Sequence, residues 1–146
     1  MYKNSKILIR TTALAMFNER GLEAVGVREI GRQLEMSPGN ISYYYPSKND
    51  LIIEIYSEFV EKTLTCLTEF RGMASPRPSD LYDLLVRIME VQQHYRCLFL
   101  SFNYLTGIEA LEQEVYQNQI RWKKVIGRLM TQWKGEGVLY GHADDE

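Results

Sequence analysis

Apolar side chains recur at intervals of three and four residues through most of the chain, the spacing that places residues on one face of an α-helix. The first such stripe consists of Ile9, Ala13, Met16 and Phe17. It predicts a helix from about residue 4 or 5 to Arg20, where Gly21 supplies the left-handed conformation in which helices commonly end. No segment alternates apolar and polar residues for long enough to predict a strand. The pattern therefore predicts an all-α protein without an internal repeat.

Two short helices are predicted next, and clear start and stop signals delimit them. The second helix spans about residues 27–34 and carries Gly31 on its apolar face, where a glycine allows another helix backbone to approach closely. The third helix is expected to begin with Ser37 as its N-cap and Pro38 at its first position. It must be short, because Pro46 cannot continue a helix.

The remaining sequence predicts longer helices separated by one clear linker. Ser47 is expected to cap the fourth helix, with Asp50 three residues later as an imperfect capping box. The linker is residues 71–80, which contain one glycine and two prolines. The other predicted elements are a fourth helix over 48–70, a fifth capped by Ser79 or Asp80, a short apolar helix over 96–105 that Gly107 breaks, and a long amphipathic helix over 109–134.

Charge is distributed unevenly along the chain. The formal net charge is -2, but residues 1–50 carry +2 and residues 51–146 carry -4. A mildly basic head on an acidic body is typical of a nucleic-acid-reading module attached to a different domain. Taken alone, this asymmetry is weak evidence.

The second and third helices together predict a helix-turn-helix, whose second helix can lie in the major groove of DNA with its N-terminal residues nearest the base edges. Those residues are Ser37, Pro38, Gly39 and Asn40. The Asn40 amide has the donors and the acceptor needed to read adenine. Arg28 on one side and Lys48 on the other are placed to contact the phosphate backbone, which would position the protein without specifying sequence.

A dispersed pattern over residues 9–51 carries a family resemblance. Its positions are Ile9, Ala13, Phe17, Gly21, Ile30, Ser37, Gly39, Ile41, Tyr43, Tyr45, Ser47, Lys48 and Leu51. These residues resemble the DNA-binding head of the tetracycline-repressor (TetR) family of bacterial transcription regulators. The resemblance implies a homodimer whose heads sit in successive major grooves of a pseudo-palindromic operator, and a helical C-terminal domain that binds a small-molecule effector.

The resemblance also implies roles for individual residues. Tyr43, Tyr44 and Lys48 fall on positions that usually touch phosphates, Asn40 and its neighbours fall on base-reading positions, and Tyr45 takes the place of an aromatic packed inside the head. The complete predicted DNA-binding set is Arg28, Ser37, Pro38, Gly39, Asn40, Ser42, Tyr43, Tyr44 and Lys48.

Three departures from the family pattern are visible. Gly26 replaces the hydroxyl residue that usually caps the second helix, which should weaken that cap by only a few tenths of a kcal/mol. Gly31 stands where alanine is usual. The chain also stops at residue 146, where the family normally continues into one or two further helices. We therefore predict a head over residues 1–47 and a ligand-binding and dimerisation body over 48–146, and the resemblance leaves open whether that body is complete at its C-terminus.

Aromatic residues of the body form the candidate effector site. The residues that could line a mostly apolar pocket with a few polar anchors are Tyr95, Phe99, Phe102, Asn103, Tyr104, Tyr116 and Trp122. Ordinary core and dimer packing is the more frequent role for any one of them. No ligand class follows from the sequence.

Other functional classes find little support. His94 and Cys97 have the spacing of a shared metal site, but further ligands are missing nearby, and no cofactor is expected. No catalytic constellation can be assembled, and no run is apolar enough for a membrane helix. We expect Cys66 and Cys97 to be buried or half-buried thiols of a cytoplasmic protein. The sequence favours a ligand-responsive repressor over the alternative, a helical small-molecule-binding or subunit-interaction protein with a vestigial head.

Overall fold

A computed structural model describes residues 2–73 and 76–137. Its helices are α1 (Tyr2–Arg20), α2 (Val27–Gln33), α3 (Pro38–Tyr44), α4 (Lys48–Arg71), α5 (Pro78–His94), α6 (Cys97–Leu100), α7 (Phe102–Thr106) and α8 (Glu109–Gly135). Since no strand occurs in these ranges, the all-α prediction is confirmed for them. The chain divides into two compact units, Met1–Ile108 and Glu109–Glu146. The predicted domain boundary at residue 47 coincides with the start of α4 and stays a prediction.

The first three helices enclose a small apolar core. Its fully buried members are Ile9, Phe17, Leu22, Ile30 and Ile41. All but Leu22, which lies in the turn after α1, come from helical stripes on α1, α2 and α3. Gly21 ends α1 in the left-handed conformation, with φ of 87°. Burial of these five side chains is the main stabilising term of the head, since each large aliphatic or aromatic residue contributes roughly 1.5–3 kcal/mol.

The turn between α2 and α3 depends on Gly31. The Met36 N–H donates to the Gly31 carbonyl over 2.8 Å, which closes the turn. A Cβ on Gly31 would lie 2.9 Å from the Met36 carbonyl oxygen, closer than real Cβ contacts come. The expected close approach is therefore present, but the neighbour is the backbone of the turn rather than another helix. Glu35, with φ of 54°, adopts the left-handed conformation needed to complete the turn.

The predicted caps of α3 and α4 are present. At the start of α4, the Ser47 N–H donates to the Asp50 carboxylate over 2.8 Å, and the Asp50 N–H donates back to the Ser47 hydroxyl over 3.2 Å. This reciprocal pair is the capping box that the sequence predicts. At α2, Glu29 accepts from the Gly26 N–H over 2.9 Å, so half of a capping box remains although glycine has no side chain to offer.

Two predictions for the body are wrong in detail. The N-cap of α5 is Arg77, not Ser79 or Asp80, because Pro78 is favourable at the first helical position and Asp80 accepts from the Arg77 N–H over 2.7 Å. The single helix predicted over 96–105 is two short helices, α6 and α7, that meet at Ser101. The backbone of Ser101 departs from helical geometry, with φ of -109° and ψ of 39°, which interrupts the helix there.

The second unit consists, in its described part, of the long helix α8. Leu111 and Val115 are buried, whereas Ile126 and Met130 are exposed. Across residues 2–73 and 76–137, no helix combines the length and the apolar character needed to cross a membrane.

Candidate nucleic-acid interface

The start of α3 presents small and polar side chains to solvent. Ser37 caps the helix by accepting from the Asn40 N–H over 3.2 Å, and Ser37, Pro38, Gly39 and Asn40 are all exposed, as is Ser42 on the next turn. A Cβ built on Gly39 would meet no atom within 4 Å, so the surface there is open. The Asn40 backbone is used for capping, but its side-chain amide remains available to a ligand. This geometry suits the edge of a base pair.

The three consecutive tyrosines have different environments. Tyr43 is 71% exposed and Tyr44 is half-buried, and their rings meet edge to face with centroids 5.1 Å apart. Tyr45 is only 2% exposed, its hydroxyl donates to the Lys6 carbonyl over 3.5 Å, and burial raises its pKa. The inner position predicted for Tyr45 is confirmed. Tyr43 and Tyr44 are left on the surface at the end of α3.

The two flanking cations differ in what holds them. Arg28 is exposed in the first turn of α2. Lys48 is half-buried, and its ammonium donates to the Leu22 carbonyl over 2.7 Å and lies 4.7 Å from the centre of the Tyr104 ring. Lys48 therefore fastens the turn after α1 to the start of α4. An ammonium has three donors, so a phosphate contact by Lys48 requires a donor other than the one bound to Leu22.

Ion pairs join α1 to α4. Arg10 lies 3.0 Å from Glu54 and 3.0 Å from Glu58, and Lys6 lies 2.6 Å from Glu54. Burial disfavours the charge on Glu54, but contacts from Lys6, Tyr45 and Arg10 outweigh it and hold the pKa of that carboxyl below its ordinary value. The head is thus fixed to the long helix that continues into the body.

A second set of contacts, here named the polar latch, ties the end of α1 to the segment between α5 and α7. Its members are Asn18, Leu22, Glu23, His94, Cys97 and Ser101. The Asn18 amide donates to the His94 carbonyl over 2.8 Å and accepts from the Cys97 N–H over 3.0 Å. One side chain therefore satisfies the last carbonyl of α5 and the first amide of α6.

Ser101 forms the other half of the polar latch. Its hydroxyl accepts from the Leu22 N–H over 3.1 Å and donates to the Glu23 carboxylate over 2.7 Å. That hydrogen bond lowers the pKa of Glu23. The sequence analysis missed these residues. The one available signal was a serine inside the apolar run 97–105, since an isolated polar residue there needs a partner when buried.

A cavity of about 420 Å³ lies between α4 and α5. Its lining residues are Lys62, Thr65, Cys66, Arg87, Glu90, Val91, His94 and Tyr95. Tyr95 is completely buried, and its hydroxyl has no acceptor among the described residues. The cavity is more polar than the aromatic pocket that the sequence predicts.

Of the five predicted pocket residues in the first unit, only Tyr95 lines this cavity. Phe99 is 45% exposed and packs on Phe59, and Phe102 and Asn103 are exposed too. Tyr104 lies under the Lys48 ammonium instead. The two others belong to the second unit: on α8, Tyr116 is exposed and Trp122 is half-buried.

The two thiols are free and buried, as predicted. Burial raises the pKa of Cys97 to about 11, so this thiol stays protonated at neutral pH and is a poor metal ligand. Within the ranges that the structure describes, no group of three or more His, Cys, Asp or Glu side chains could hold a metal ion.

Comparisons with known proteins point to one family. Residues 9–55 match the model for bacterial regulatory proteins of the tetR family. Over 116 residues the chain is 28% identical to an uncharacterized HTH-type transcriptional regulator, YuxN, of Bacillus subtilis (strain 168), covering 79% of this chain and 39% of that protein. It is 27% identical over 136 residues to YttP, a probable HTH-type transcriptional regulator of the same organism, covering 90% and 65%. The chain therefore spans less than two thirds of the length of either relative.

Solved structures share the fold. A TetR-family transcriptional regulator from Marinobacter aquaeolei VT8 superposes with a TM-score of 0.83 at 24% identity, covering 96% of this chain and 69% of that one. The probable transcriptional regulatory protein RHA5900 gives a TM-score of 0.82 at 16% identity, covering 97% and 76%. At these identities the likeness concerns the fold alone.

Proposed function

Because the chain belongs to the TetR family of bacterial regulatory proteins, we propose that it is a DNA-binding transcription regulator of the cytoplasm, and specifically a repressor that a small-molecule effector releases from its operator. The observation that carries the proposal is the start of α3, where Ser37, Pro38, Gly39 and Asn40 form an exposed, capped edge on a closed core. A helix presented in this way fits the major groove.

The proposed contacts divide into those that read sequence and those that position the head. Asn40 reads a base edge through its side-chain amide, with Ser37, Pro38, Gly39 and Ser42 allowing the helix to come close. Tyr43, Tyr44, Arg28 and Lys48 bind phosphates. Lys48 is already engaged by the backbone carbonyl of Leu22 and would use its other donors for a phosphate.

The operator is proposed to be a pseudo-palindrome read by a homodimer. One head presents a single recognition helix, and α3 has only seven residues, so one head reads too few base pairs for high specificity. Two heads related by a two-fold axis read two half-sites about one helical turn apart.

Effector release is proposed to act through α4 and the polar latch. The helix α4 begins beside α3 with Lys48 and continues along the cavity with Lys62 and Cys66. The polar latch connects the other wall of the cavity to α1 through the His94 carbonyl and Asn18. An effector that favours one arrangement of these elements shifts the spacing of the two heads, which changes operator affinity by population shift.

The alternative function is a small-molecule-binding or subunit-interaction protein with a vestigial head. The exposed edge of α3, with Asn40 and the 71% exposed Tyr43, favours a working head, because these side chains contribute nothing to the buried core of the head. No observation on the described residues favours the alternative specifically.

The test is DNA binding measured by fluorescence anisotropy, with the intergenic DNA beside the gene compared with a random duplex over a salt series. We expect tighter binding to the intergenic DNA and a steep loss of affinity with salt. Asn40→Ala should cost roughly 1–3 kcal/mol on the specific site and little on random DNA. Lys48→Ala should weaken binding to both duplexes alike, and Gln113→Ala on α8 serves as the unaffected control. Equal affinity for both duplexes at moderate salt would refute the proposal.

A further inference from the structure

The cavity between α4 and α5 contains a buried donor without an acceptor. The Tyr95 ring is wedged between Phe59, at 5.9 Å between centroids, and His94, at 4.7 Å, which fixes the direction of its hydroxyl. The Lys62 ammonium and the Glu58 carboxylate interact with that hydroxyl electrostatically, but no described group has the geometry of a hydrogen-bond partner for it. The Lys62 ammonium lies 5.2 Å from the centre of the ring, but an ammonium only donates hydrogen bonds and cannot take this proton.

Cations outnumber carboxylates in the ion-pair network that reaches the Tyr95 ring through Lys62. Three cations, Lys6, Arg10 and Lys62, share two carboxylates, Glu54 and Glu58. Lys62 is the least firmly held of the three, since it lies 3.4 Å from Glu58, which Arg10 already contacts at 3.0 Å. The Lys62 ammonium is therefore available to a further anion.

The end of the cavity that carries Arg87 has no such excess of positive charge. Arg87 lies 2.6 Å from Glu69, and the pKa of Arg87 is raised by that contact and, more weakly, by nearby carboxylates including Glu90. Because Glu69 already neutralises Arg87, an anion entering the cavity would find its available cation at Lys62. Val91 and the buried thiol of Cys66 supply apolar surface between the two walls.

We propose that this cavity binds a small organic carboxylate, whose oxygens accept from the Tyr95 hydroxyl and the Lys62 ammonium while its apolar portion lies against Val91 and Cys66. The chemistry follows from the two donors: a carboxylate has lone pairs for both and a charge for Lys62. Burial raises the pKa of Tyr95 against the opposing effect of Lys62, so the phenol remains a proton donor at neutral pH. The volume of about 420 Å³ matches a ligand of modest size.

The proposal deepens the effector release described above, but binding itself can be measured without DNA. Phenylacetate and octanoate are titrated calorimetrically into the full chain, with phenylacetamide and octanamide as neutral matches. At least one acid should bind about tenfold or more tightly than its amide, which corresponds to one lost charge-assisted contact.

Variants assign the binding to the cavity. Tyr95→Phe and Lys62→Met should each remove most of the preference for acid over amide, and Lys123→Met, which removes an exposed charge on α8, should leave it intact. Circular dichroism melting verifies that each variant is folded. The proposal is overturned if no acid binds, if acid and amide bind equally, or if both cavity variants keep the preference.

DNA anisotropy on the same samples separates this proposal from the proposed function. Carboxylate binding without specific DNA binding would support the proposed carboxylate site and refute the proposed regulator function. Specific DNA binding without carboxylate binding would do the reverse.

Discussion

The head, residues 1–47, and the part of the body within the first unit, residues 48–108, treat their buried polar groups differently. In the head, the buried Tyr45 hydroxyl donates to the Lys6 carbonyl. In the body, Tyr95 is equally buried, yet its hydroxyl has no described acceptor, and neither does the hydroxyl of Thr63. An unsatisfied buried polar group typically costs about 1–3 kcal/mol. The one such atom described in the head, Arg10 Nε, still lies 3.0 Å from the Glu58 carboxylate, whereas the body retains a hydroxyl that a ligand could complete.

The head and the body also differ in where their candidate binding groups lie. The head places its candidate binding groups outside, on the exposed edge of α3. The body places its candidate groups in the open cavity between α4 and α5, where Tyr95 is buried and Lys62 is exposed. A duplex needs a projecting surface that can enter its groove, whereas a small molecule can bury much of its own surface in a recess. The two locations therefore correspond to the two kinds of ligand proposed.

The largest expected effect tests how tightly the head is packed. Gly31→Ala places a Cβ 2.9 Å from the Met36 carbonyl oxygen, and this backbone atom cannot move without opening the turn. We expect a loss of about 1–3 kcal/mol in the free energy of unfolding, measured by urea denaturation. Gly39→Ala is the matched control because its Cβ meets open space.

The control also makes the prediction decisive. Alanine has a better helix propensity than glycine by up to about 1 kcal/mol, so Gly39→Ala should be neutral or stabilising. If Gly31→Ala is stabilising to the same degree, the turn is looser than its geometry indicates, and the contrast between a closed head and an open body fails.

The next effect tests the contact between the two regions. Asn18→Ala removes the two hydrogen bonds that the Asn18 side chain makes in the polar latch, leaving the His94 carbonyl and the Cys97 amide without this partner. We expect a loss of about 1–2 kcal/mol in unfolding free energy and faster hydrogen exchange of the Cys97 amide. Glu19→Ala, the exposed neighbour on α1, should leave that exchange rate unchanged. An unchanged rate in Asn18→Ala would show that the polar latch does not hold α6.

The head could be predicted from the sequence more fully than the body. The head is specified by local signals: Ser37, Pro38 and Pro46 delimit α3, and the helical spacing identifies Ile41 as core. The cavity is formed by residues of α4 and α5 that lie far apart in sequence, such as Lys62 and Tyr95. Their approach depends on tertiary packing, which no local pattern encodes. The prediction therefore selected aromatic residues, and Phe99 proved to be largely exposed while polar Lys62 lines the cavity.

A smaller effect concerns pH and the ion pairs between α1 and α4. The contacts from Lys6, Tyr45 and Arg10 hold the folded pKa of Glu54 below its ordinary value of 4.5. Their stabilisation is fully present above the unfolded pKa and is lost as pH falls through the folded pKa. We expect unfolding free energy to fall by under about 1 kcal/mol from this source, since the group is partly exposed. Glu54→Gln should flatten the decline below pH 5, and exposed Glu61→Gln should not. If the unfolding free energies of wild type and Glu54→Gln fall in parallel with pH, Glu54 does not cause the decline.

The smallest expected effect compares the same substitution, tyrosine to phenylalanine, at a buried tyrosine of the head and at one of the body. Tyr45→Phe removes a hydroxyl that donates to a carbonyl, at a long 3.5 Å, and also contacts Glu54, so it should destabilise by about 0.5 kcal/mol. Tyr95→Phe removes a buried hydroxyl that lacks an acceptor, so its unfolding free energy should stay the same or increase. Both changes keep the ring and its packing, which leaves the hydroxyl as the only difference. Chemical denaturation with replicate titrations measures the change in unfolding free energy for each variant and distinguishes the two. A destabilising Tyr95→Phe would mean that the hydroxyl already has a partner in the unliganded protein, and the body would then be as complete as the head.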